Sequence, residues 1–169
     1  PFAVTAPAIA LPIAQALVVE MGGEPFEIAE EDRGVYHAAL NHGANFLATV
    51  VAQSKQILST VGIEDPGTFL RPLCEAALDR ALRAGDRGVS GPIPRGDVGT
   101  IREHLSVLEI KAKEENLAGE GQWAHRLEDA RSTYAAMTLH TVDLLEFEGR
   151  ISYQVASEIR AAVREMGEK

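Results

Sequence analysis

The stretch Tyr36-His37-Ala38-Ala39-Leu40-Asn41-His42-Gly43-Ala44-Asn45 lies inside a long helix predicted over residues 31–61, and it carries the main polar pattern of the chain. His37, Asn41 and Asn45 recur every fourth residue. On an α-helix they lie one above another and drift only about 80° around the axis. A polar stripe on an otherwise apolar helix is typical of a small-molecule site. It is equally typical of a hydrogen-bonded interface between helices.

Helix signals continue to the end of the chain. Gly34 and Gly43 permit another backbone to approach the long helix closely. A cysteine, Cys74, lies in an apolar run of the second helix and is expected to be a buried, inert thiol. A polar gap at residues 114–122 is expected to separate the third helix from the fourth. After the long helix, the predicted helices are 66–85, 97–112, 123–147 and 150–166.

The first thirty residues have a different pattern. Residues 2–5 and 25–28 are predicted strands, and residues 7–21 between them are a predicted helix stopped by Gly22-Gly23. One strand-helix-strand unit does not make a stable sheet alone. We therefore predict a mainly α protein: a helical bundle over residues 31–169, preceded over residues 1–30 by a short β-α-β remnant of a Rossmann-like domain.

Composition excludes several classes of function. The formal net charge is −9, so the basic face expected of a nucleic-acid-binding protein is absent. Residues 1–19 carry no charge, but prolines interrupt them and no basic segment precedes them, so we predict neither a targeting peptide nor a membrane span. The single cysteine excludes an intrachain disulfide and a thiolate metal cluster, and no metal site is expected. A cytoplasmic location fits this acidity.

A second motif, Gly91-Pro92-Ile93-Pro94-Arg95-Gly96-Asp97, forms a loop just before the third helix. Arg95 suits a substrate carboxylate, which a guanidinium binds with two parallel N–H bonds. Asp97 suits either a substrate contact or the N-cap of the helix that follows, and the N-cap is the simpler interpretation. The two side chains could also pair with each other.

These segments together resemble a bacterial family. The resemblance rests, in order, on Phe2-Ala3-Val4-Thr5, Gly22-Gly23, Tyr36-His37-Ala38-Ala39 with Asn45, and Gly91-Pro92 … Arg95-Gly96-Asp97 … His104. The family joins an N-terminal Rossmann-like NAD(P) domain to a C-terminal helical domain of unknown function, of the DUF2520 type. Its layout is similar to that of ketopantoate reductase and of the 6-phosphogluconate dehydrogenase C-terminal-like domains.

The resemblance implies roles for six residues. In the broader group a catalytic lysine on the first long helix is followed one turn later by an asparagine, and His37 and Asn41 stand at those positions. His37 is then the general acid, since an imidazole can protonate a nascent alkoxide. The residues implied to hold substrate are Asn41, Asn45, Arg95, Asp97 and His104. Without the resemblance, a structural histidine and interhelical amide bonds would explain the same residues.

The resemblance also implies an activity and partners. We expect an NAD(P)-dependent reductase of a small 2-oxo acid or imine, ketopantoate-like in substrate, and a homodimer. No GxGxxG follows a strand in this sequence, so NADP or NAD is expected to bind mainly to a domain that is missing here. The chain would then be a C-terminal piece, inactive alone. The alternative is a non-catalytic helical module for dimerisation or partner binding.

Overall fold

The computed structural model describes residues 1–167 and is mainly α-helical, as predicted, with one pair of parallel strands at the N-terminus. Short 3-10 turns at Glu30–Asp32, Gly85–Gly88 and Ile93–Arg95 join some of the elements. The elements are β1 (Phe2–Val4), α1 (Leu11–Glu20), β2 (Pro25–Glu27), α2 (Arg33–Ser59), α3 (Pro66–Ala84), α4 (Val98–Leu117), α5 (Gly121–Phe147) and α6 (Tyr153–Gly167).

The chain divides into two compact units, residues 1–49 and the residues from Val50 onward. The division falls inside α2. We call residues 1–49 unit 1 and the residues from Val50 onward unit 2, and we describe each unit separately. The predicted domain boundary after residue 30 stays a prediction.

Unit 1 begins with the strand-helix-strand predicted from the sequence. β1 and β2 run parallel, with Phe2 opposite Pro25 and Val4 opposite Glu27. Val4 of the sheet and Val18 of α1 are each buried, at 7% exposure. Glycine at position 23 leaves room for the Phe2 ring, since a Cβ there would lie 2.5 Å from a ring carbon and the ring would have to move. The predicted glycine stop after α1 is confirmed.

The start of α1 differs from the prediction. The helix begins at Leu11 and not at Pro7, because residues 7–10 form a turn in which the Pro7 carbonyl accepts the N–H groups of Ala10 and Leu11. Ile13 and Leu17 on α1 are more than half exposed. Two strands and one helix are too few to cover the apolar side chains of this segment.

Unit 2 is built around α4, α5 and α6, which pack on one another. The buried core comprises Ile101, Leu105, Val142, Leu145, Ile151, Ala156, Ile159 and Val163. Apart from Ile151, which lies between α5 and α6, these residues recur at helical spacing on the three helices, so each helix presents one apolar face inward.

The predicted end of the third helix at Ala112, and the polar gap over residues 114–122, are wrong. α4 continues to Leu117, and only residues 118–120 separate it from α5. The polar residues lie on the helix and pair along it: Lys111 contacts Glu115 at 2.9 Å, four residues on. Such i,i+4 ion pairs support a helix whose polar face points to water, so polarity did not mark its end.

In contrast, α3 is mostly exposed. Only Pro66 is buried among its residues, and Phe69 and Leu73 are each 67% exposed. It packs mainly against the turn at Gly85–Gly88. The prediction that Cys74 is buried is therefore wrong: the thiol is half-buried, since α3 does not enter the core. Among residues 1–167, no helix is long and apolar enough to span a membrane.

Candidate functional site

Unit 1 contains a cleft of about 860 Å³ at the carboxyl ends of its two strands. Thr5 follows β1 and Ile28 follows β2, and the Thr5 hydroxyl donates to the Ile28 carbonyl at 2.7 Å, which ties the two strand ends together. In open α/β sheets, ligands bind outside this edge. The cleft is lined by Ala3, Thr5, Ile28, Glu30, Arg33, Gly34, Tyr36 and His37.

His37 reaches the cleft from the second turn of α2. Its side chain is exposed, and Tyr36 lines the same cleft. An imidazole with access to solvent and to a ligand cleft is suited to moving a proton. Of the residues predicted to form the site, His37 is the one that the structure places in this cleft.

Arg33 also lines the cleft, one helical turn before His37, and the sequence analysis missed it. The guanidinium contacts the Glu30 carboxylate at 3.1 Å, with side chains 61% and 73% exposed. An ion pair this exposed contributes little to stability, so Arg33 can exchange Glu30 for an anionic ligand. The available signal was its spacing: Arg33 and His37 are four residues apart and share a helix face.

Asn41 and Asn45 bond to each other. The Asn45 amide donates to Oδ1 of Asn41, and the Asn45 carbonyl accepts from the Thr49 hydroxyl at 3.1 Å. Both asparagines are exposed and lie one and two turns beyond His37. Within the described part of the chain, Nδ2 of Asn41 and Oδ1 of Asn45 have no assigned hydrogen bond. The pair can thus present one donor and one acceptor to a ligand.

In unit 2, Arg95 and Asp97 flank the start of α4. Arg95 is exposed on the turn Ile93–Arg95. Asp97 is the N-cap of α4: Oδ1 accepts from the Thr100 N–H at 3.0 Å and Oδ2 from the Thr100 hydroxyl at 2.7 Å. The hydrogen bond from the Thr100 hydroxyl is the main cause that lowers the pKa of Asp97 below its usual value, and the bond from the Thr100 N–H adds to it. The nearby charges of Arg95 and His104 also lower this pKa. The interpretation of Asp97 as an N-cap is confirmed.

His104 joins α4 to α5 through a tyrosine that the sequence analysis missed. Nδ1 of His104 lies 2.9 Å from the Tyr134 hydroxyl, and the two rings meet edge to face at 5.6 Å. Burial raises the pKa of Tyr134, so the phenol stays neutral and can donate to an unprotonated Nδ1. The two residues are thirty positions apart in the sequence, and no local sequence pattern at either residue predicts their contact.

The predicted residues thus fall into two groups. Unit 1 holds His37, Asn41 and Asn45 on one helix, and unit 2 holds Arg95, Asp97 and His104 around the start of α4. Over residues 1–167 no three histidine, cysteine, aspartate or glutamate side chains are grouped as metal ligands.

Comparison with known proteins identifies the family of the chain. The model of a family described as a domain of unknown function, DUF2520, matches residues 1–141, which is more than four fifths of the chain. No curated protein and no solved structure matches the chain.

Proposed function

The chain belongs to the DUF2520 family, and we propose that it is the C-terminal domain of an NAD(P)-dependent reductase acting on a small 2-oxo acid or imine. A ketopantoate-like acid is the substrate class we favour. In this proposal the described residues bind and protonate the substrate, while a separate dinucleotide-binding domain holds most of NADP or NAD.

One observation carries the proposal: His37 lines a cleft at the carboxyl ends of two parallel strands. That edge is where α/β proteins bind nucleotides and their substrates. A cleft of about 860 Å³ is within the range of small-molecule sites. The donors at this edge are Arg33, Tyr36 and His37, which are polar groups suited to an anionic or carbonyl-bearing ligand. The Thr5 hydroxyl also lines the cleft, but its hydrogen is donated to the Ile28 carbonyl.

The residues have defined tasks in the proposed reaction. The cofactor supplies a hydride to the substrate carbon. His37 donates the proton that the substrate oxygen or nitrogen needs as its negative charge develops. The amides of Asn41 and Asn45 orient the substrate through one donor and one acceptor. In unit 2, Asp97 holds the start of α4, the helix that carries His104 and follows the turn of Arg95.

The experiment is a turnover assay with a protein that joins this chain to its dinucleotide-binding domain. NADPH and NADH oxidation is followed with a panel of 2-oxo acids that includes ketopantoate. We expect His37→Ala to lower kcat at least tenfold, at the low end of the acid–base contribution of about 10²–10⁴. His125→Ala is the matched control because that side chain is 79% exposed on α5. Unchanged turnover in His37→Ala would remove the proton-donor role.

A second candidate function is a non-catalytic module for dimerisation or partner binding. It is favoured by the large apolar side chains that α2 and α3 leave exposed, such as Val35 at 72% and Leu82 at 79%. Contiguous exposed apolar surface commonly marks an interface. Cofactor binding without turnover on any substrate of the panel would favour this second function.

A further inference from the structure

His104 on α4 and Tyr134 on α5 form a hydrogen-bonded pair within unit 2. Nδ1 of His104 lies 2.9 Å from the Tyr134 hydroxyl oxygen, and the ring centroids are 5.6 Å apart in an edge-to-face arrangement. His104 is exposed, and within the described part of the chain its other ring nitrogen, Nε2, has no assigned hydrogen bond. The protein therefore holds one nitrogen of this imidazole and leaves the other for a ligand.

The direction of this hydrogen bond decides what Nε2 can do. Either the phenol donates to Nδ1, or an Nδ1–H group donates to the phenolic oxygen. A neutral imidazole carries one hydrogen, so a ring that accepts at Nδ1 carries that hydrogen on Nε2. The first direction therefore makes Nε2 a donor, and the second direction makes it an acceptor.

Acidity and basicity favour the phenol as the donor. A phenolic O–H is a stronger acid than the N–H of a neutral imidazole, and an imidazole nitrogen is a stronger base than a phenolic oxygen. The bond from the phenol to Nδ1 thus pairs the better donor with the better acceptor. Burial also raises the pKa of Tyr134 above its ordinary value, so the phenol keeps its hydrogen at neutral pH.

Thr138 offers the phenol a competing acceptor. The Thr138 hydroxyl donates its hydrogen to the Tyr134 carbonyl at 2.8 Å and also interacts with the Tyr134 side chain. A reversed chain is then the alternative, in which Nδ1–H of His104 donates to the phenol and the phenol donates to Thr138. The hydroxyl oxygen of Thr138 is a weaker base than an imidazole nitrogen, so the phenolic hydrogen belongs on the side of Nδ1.

We propose that Tyr134 is a positioning residue that holds His104 in the tautomer with its hydrogen on Nε2. In this tautomer α4 presents an N–H donor, which recognises an acceptor oxygen, such as that of a carbonyl or a carboxylate, and does not recognise an N–H group. The 2-oxo acids of the proposed reductase carry both kinds of oxygen, so the use of this donor on a substrate rests on the proposed function. The tautomer itself does not.

Asp97 does not provide the same restraint. Its two carboxylate oxygens accept from the N–H and the hydroxyl of Thr100, so Asp97 acts on the imidazole as a nearby charge. Within residues 1–167, the hydrogen bond assigned to the His104 ring is the one with Tyr134. Removing that hydroxyl therefore leaves the ring without a partner that selects between its two nitrogens.

The first test is a nitrogen NMR spectrum of the 169-residue chain with isotope-labelled histidine rings, at about pH 8, above the ordinary pKa of histidine. The chemical shifts of the two ring nitrogens show which one carries the hydrogen, and His104→Gln assigns the signals by removing them. We expect the hydrogen of His104 on Nε2. A hydrogen on Nδ1 would overturn the proposal and favour the reversed chain through Thr138.

The Tyr134→Phe variant shows whether the phenol is the cause. We expect the Nδ1 signal of His104 to shift when the hydroxyl is removed, because Nδ1 loses its donor, while circular dichroism shows an intact fold. Tyr153→Phe is the matched control, since Tyr153 is 77% exposed, and it should leave the His104 signals unchanged. Unchanged His104 signals in Tyr134→Phe would also overturn the proposal.

The second test asks whether a substrate uses the positioned N–H, in the protein that joins this chain to its dinucleotide-binding domain. We expect Tyr134→Phe to raise KM for a 2-oxo acid several-fold with kcat nearly unchanged, as for a contact made equally in the ground and transition states. His104→Gln keeps an amide N–H that does not depend on Tyr134. In the His104→Gln background, Tyr134→Phe should therefore leave KM unchanged.

The outcomes of the second test separate the two proposals. An equal rise in KM in both backgrounds would mean that Tyr134 acts only through the fold, and it would overturn the positioning role. Absence of turnover in the unsubstituted protein would contradict the reductase proposal alone, because the nitrogen spectrum decides the tautomer without turnover.

Discussion

Helices α3 and α4 begin in the same way but are buried very differently. Asp65-Pro66-Gly67-Thr68 opens α3 and Asp97-Val98-Gly99-Thr100 opens α4, and in both the aspartate accepts the N–H and the hydroxyl of the threonine three residues on. The helices are 19 and 20 residues long. Yet α4 buries Ile101, Leu105, Leu108 and Ala112, whereas α3 buries only Pro66.

The comparison shows that a local signal decides where a helix begins and does not decide what covers it. An Asp-x-Gly-Thr sequence satisfies the free N–H groups of the first turn wherever it occurs. Burial depends on whether other helices offer a complementary apolar face, and α5 and α6 do so for α4. The apolar side chains of α3, such as Phe69 and Leu73, remain exposed on the surface of unit 2.

The largest expected difference between the two helices concerns leucine truncation. Leu105 on α4 is 1% exposed and Leu73 on α3 is 67% exposed. We expect Leu105→Ala to lower the free energy of unfolding by about 2–5 kcal/mol, because it leaves a cavity in the core. Leu73→Ala should change it by no more than about 0.5 kcal/mol, as for surface residues. Urea unfolding at one protein concentration, with equal m-values, measures both.

The outcome would test the comparison itself. If Leu73→Ala destabilised the chain as much as Leu105→Ala, α3 would be covered in solution, and the contrast with α4 would hold only for the single chain. Repeating the measurement at a tenfold lower protein concentration separates coverage by a second copy, which depends on concentration, from intrachain burial.

A smaller effect is expected at the bond that ties α4 to α5. Tyr134→Phe removes the hydroxyl that lies 2.9 Å from Nδ1 of His104 and should cost about 0.5–1.5 kcal/mol. Because burial raises the pKa of Tyr134, the contribution of this residue to stability also depends on pH. The unfolded chain loses its phenolic proton first, so this part of the stability is present below the ordinary pKa of about 10 and is lost as pH rises through the higher folded value.

Thermal unfolding between pH 7 and 11 measures this difference. We expect the stability of the wild-type chain to fall more steeply than that of Tyr134→Phe in the alkaline part of the range. Tyr153→Phe is the matched control because Tyr153 is 77% exposed. If Tyr153→Phe flattened the alkaline loss as much as Tyr134→Phe, the burial of Tyr134 would not be its source.

The smallest effects are expected at the two caps. Bonds from Thr68 and Thr100 lower the pKa values of Asp65 and Asp97 below 3.8. Each cap therefore contributes stability above the ordinary carboxyl pKa, and the contribution is lost as pH falls through the lower folded value. We expect Asp97→Ala to lower the melting temperature of the chain, and Asp65→Ala mainly to speed amide exchange in the first turn of α3.

The two alanine variants are expected to differ because α4 is buried in the core whereas α3 is mostly exposed. Fraying the start of α4 disturbs a helix that belongs to the core, whereas α3 can fray with little loss of packing. Asp97→Asn is the control, because asparagine keeps an acceptor oxygen but has no titration near pH 4. A fall in melting temperature as large for Asp65→Ala as for Asp97→Ala would mean that the two helices are equally coupled to the fold.

Much of the fold was predictable, since its signals are local. Gly22-Gly23 stops α1, Asp97 caps α4, and glycines or prolines bound the long helices, so the mainly α class with an N-terminal strand pair could be predicted. The end of α4 could not, because the polar residues after Ala112 continue the helix as ion-paired surface. A break in hydrophobicity does not distinguish a loop from a solvent-facing turn of helix.

The candidate site was predictable only in part. The spacing of His37, Asn41 and Asn45 puts them on one helix, and the hydrogen bond between the two asparagines follows directly from their separation. Arg33 was accessible through the same spacing. Tyr134 was not, because its contact with His104 crosses between α4 and α5, and no pattern along the chain reports which turn of one helix meets which turn of another.

Local chemistry therefore accounts for helix starts, glycine stops and the polar stripe of α2, because each depends on interactions within a few residues. Only the folded chain decided that His37 reaches the strand-end cleft and that Cys74 is partly and not fully buried. It also decided that α4 is buried and α3 is not. These outcomes depend on which apolar faces meet in space, and burial is a property of the assembled surfaces and not of any single segment.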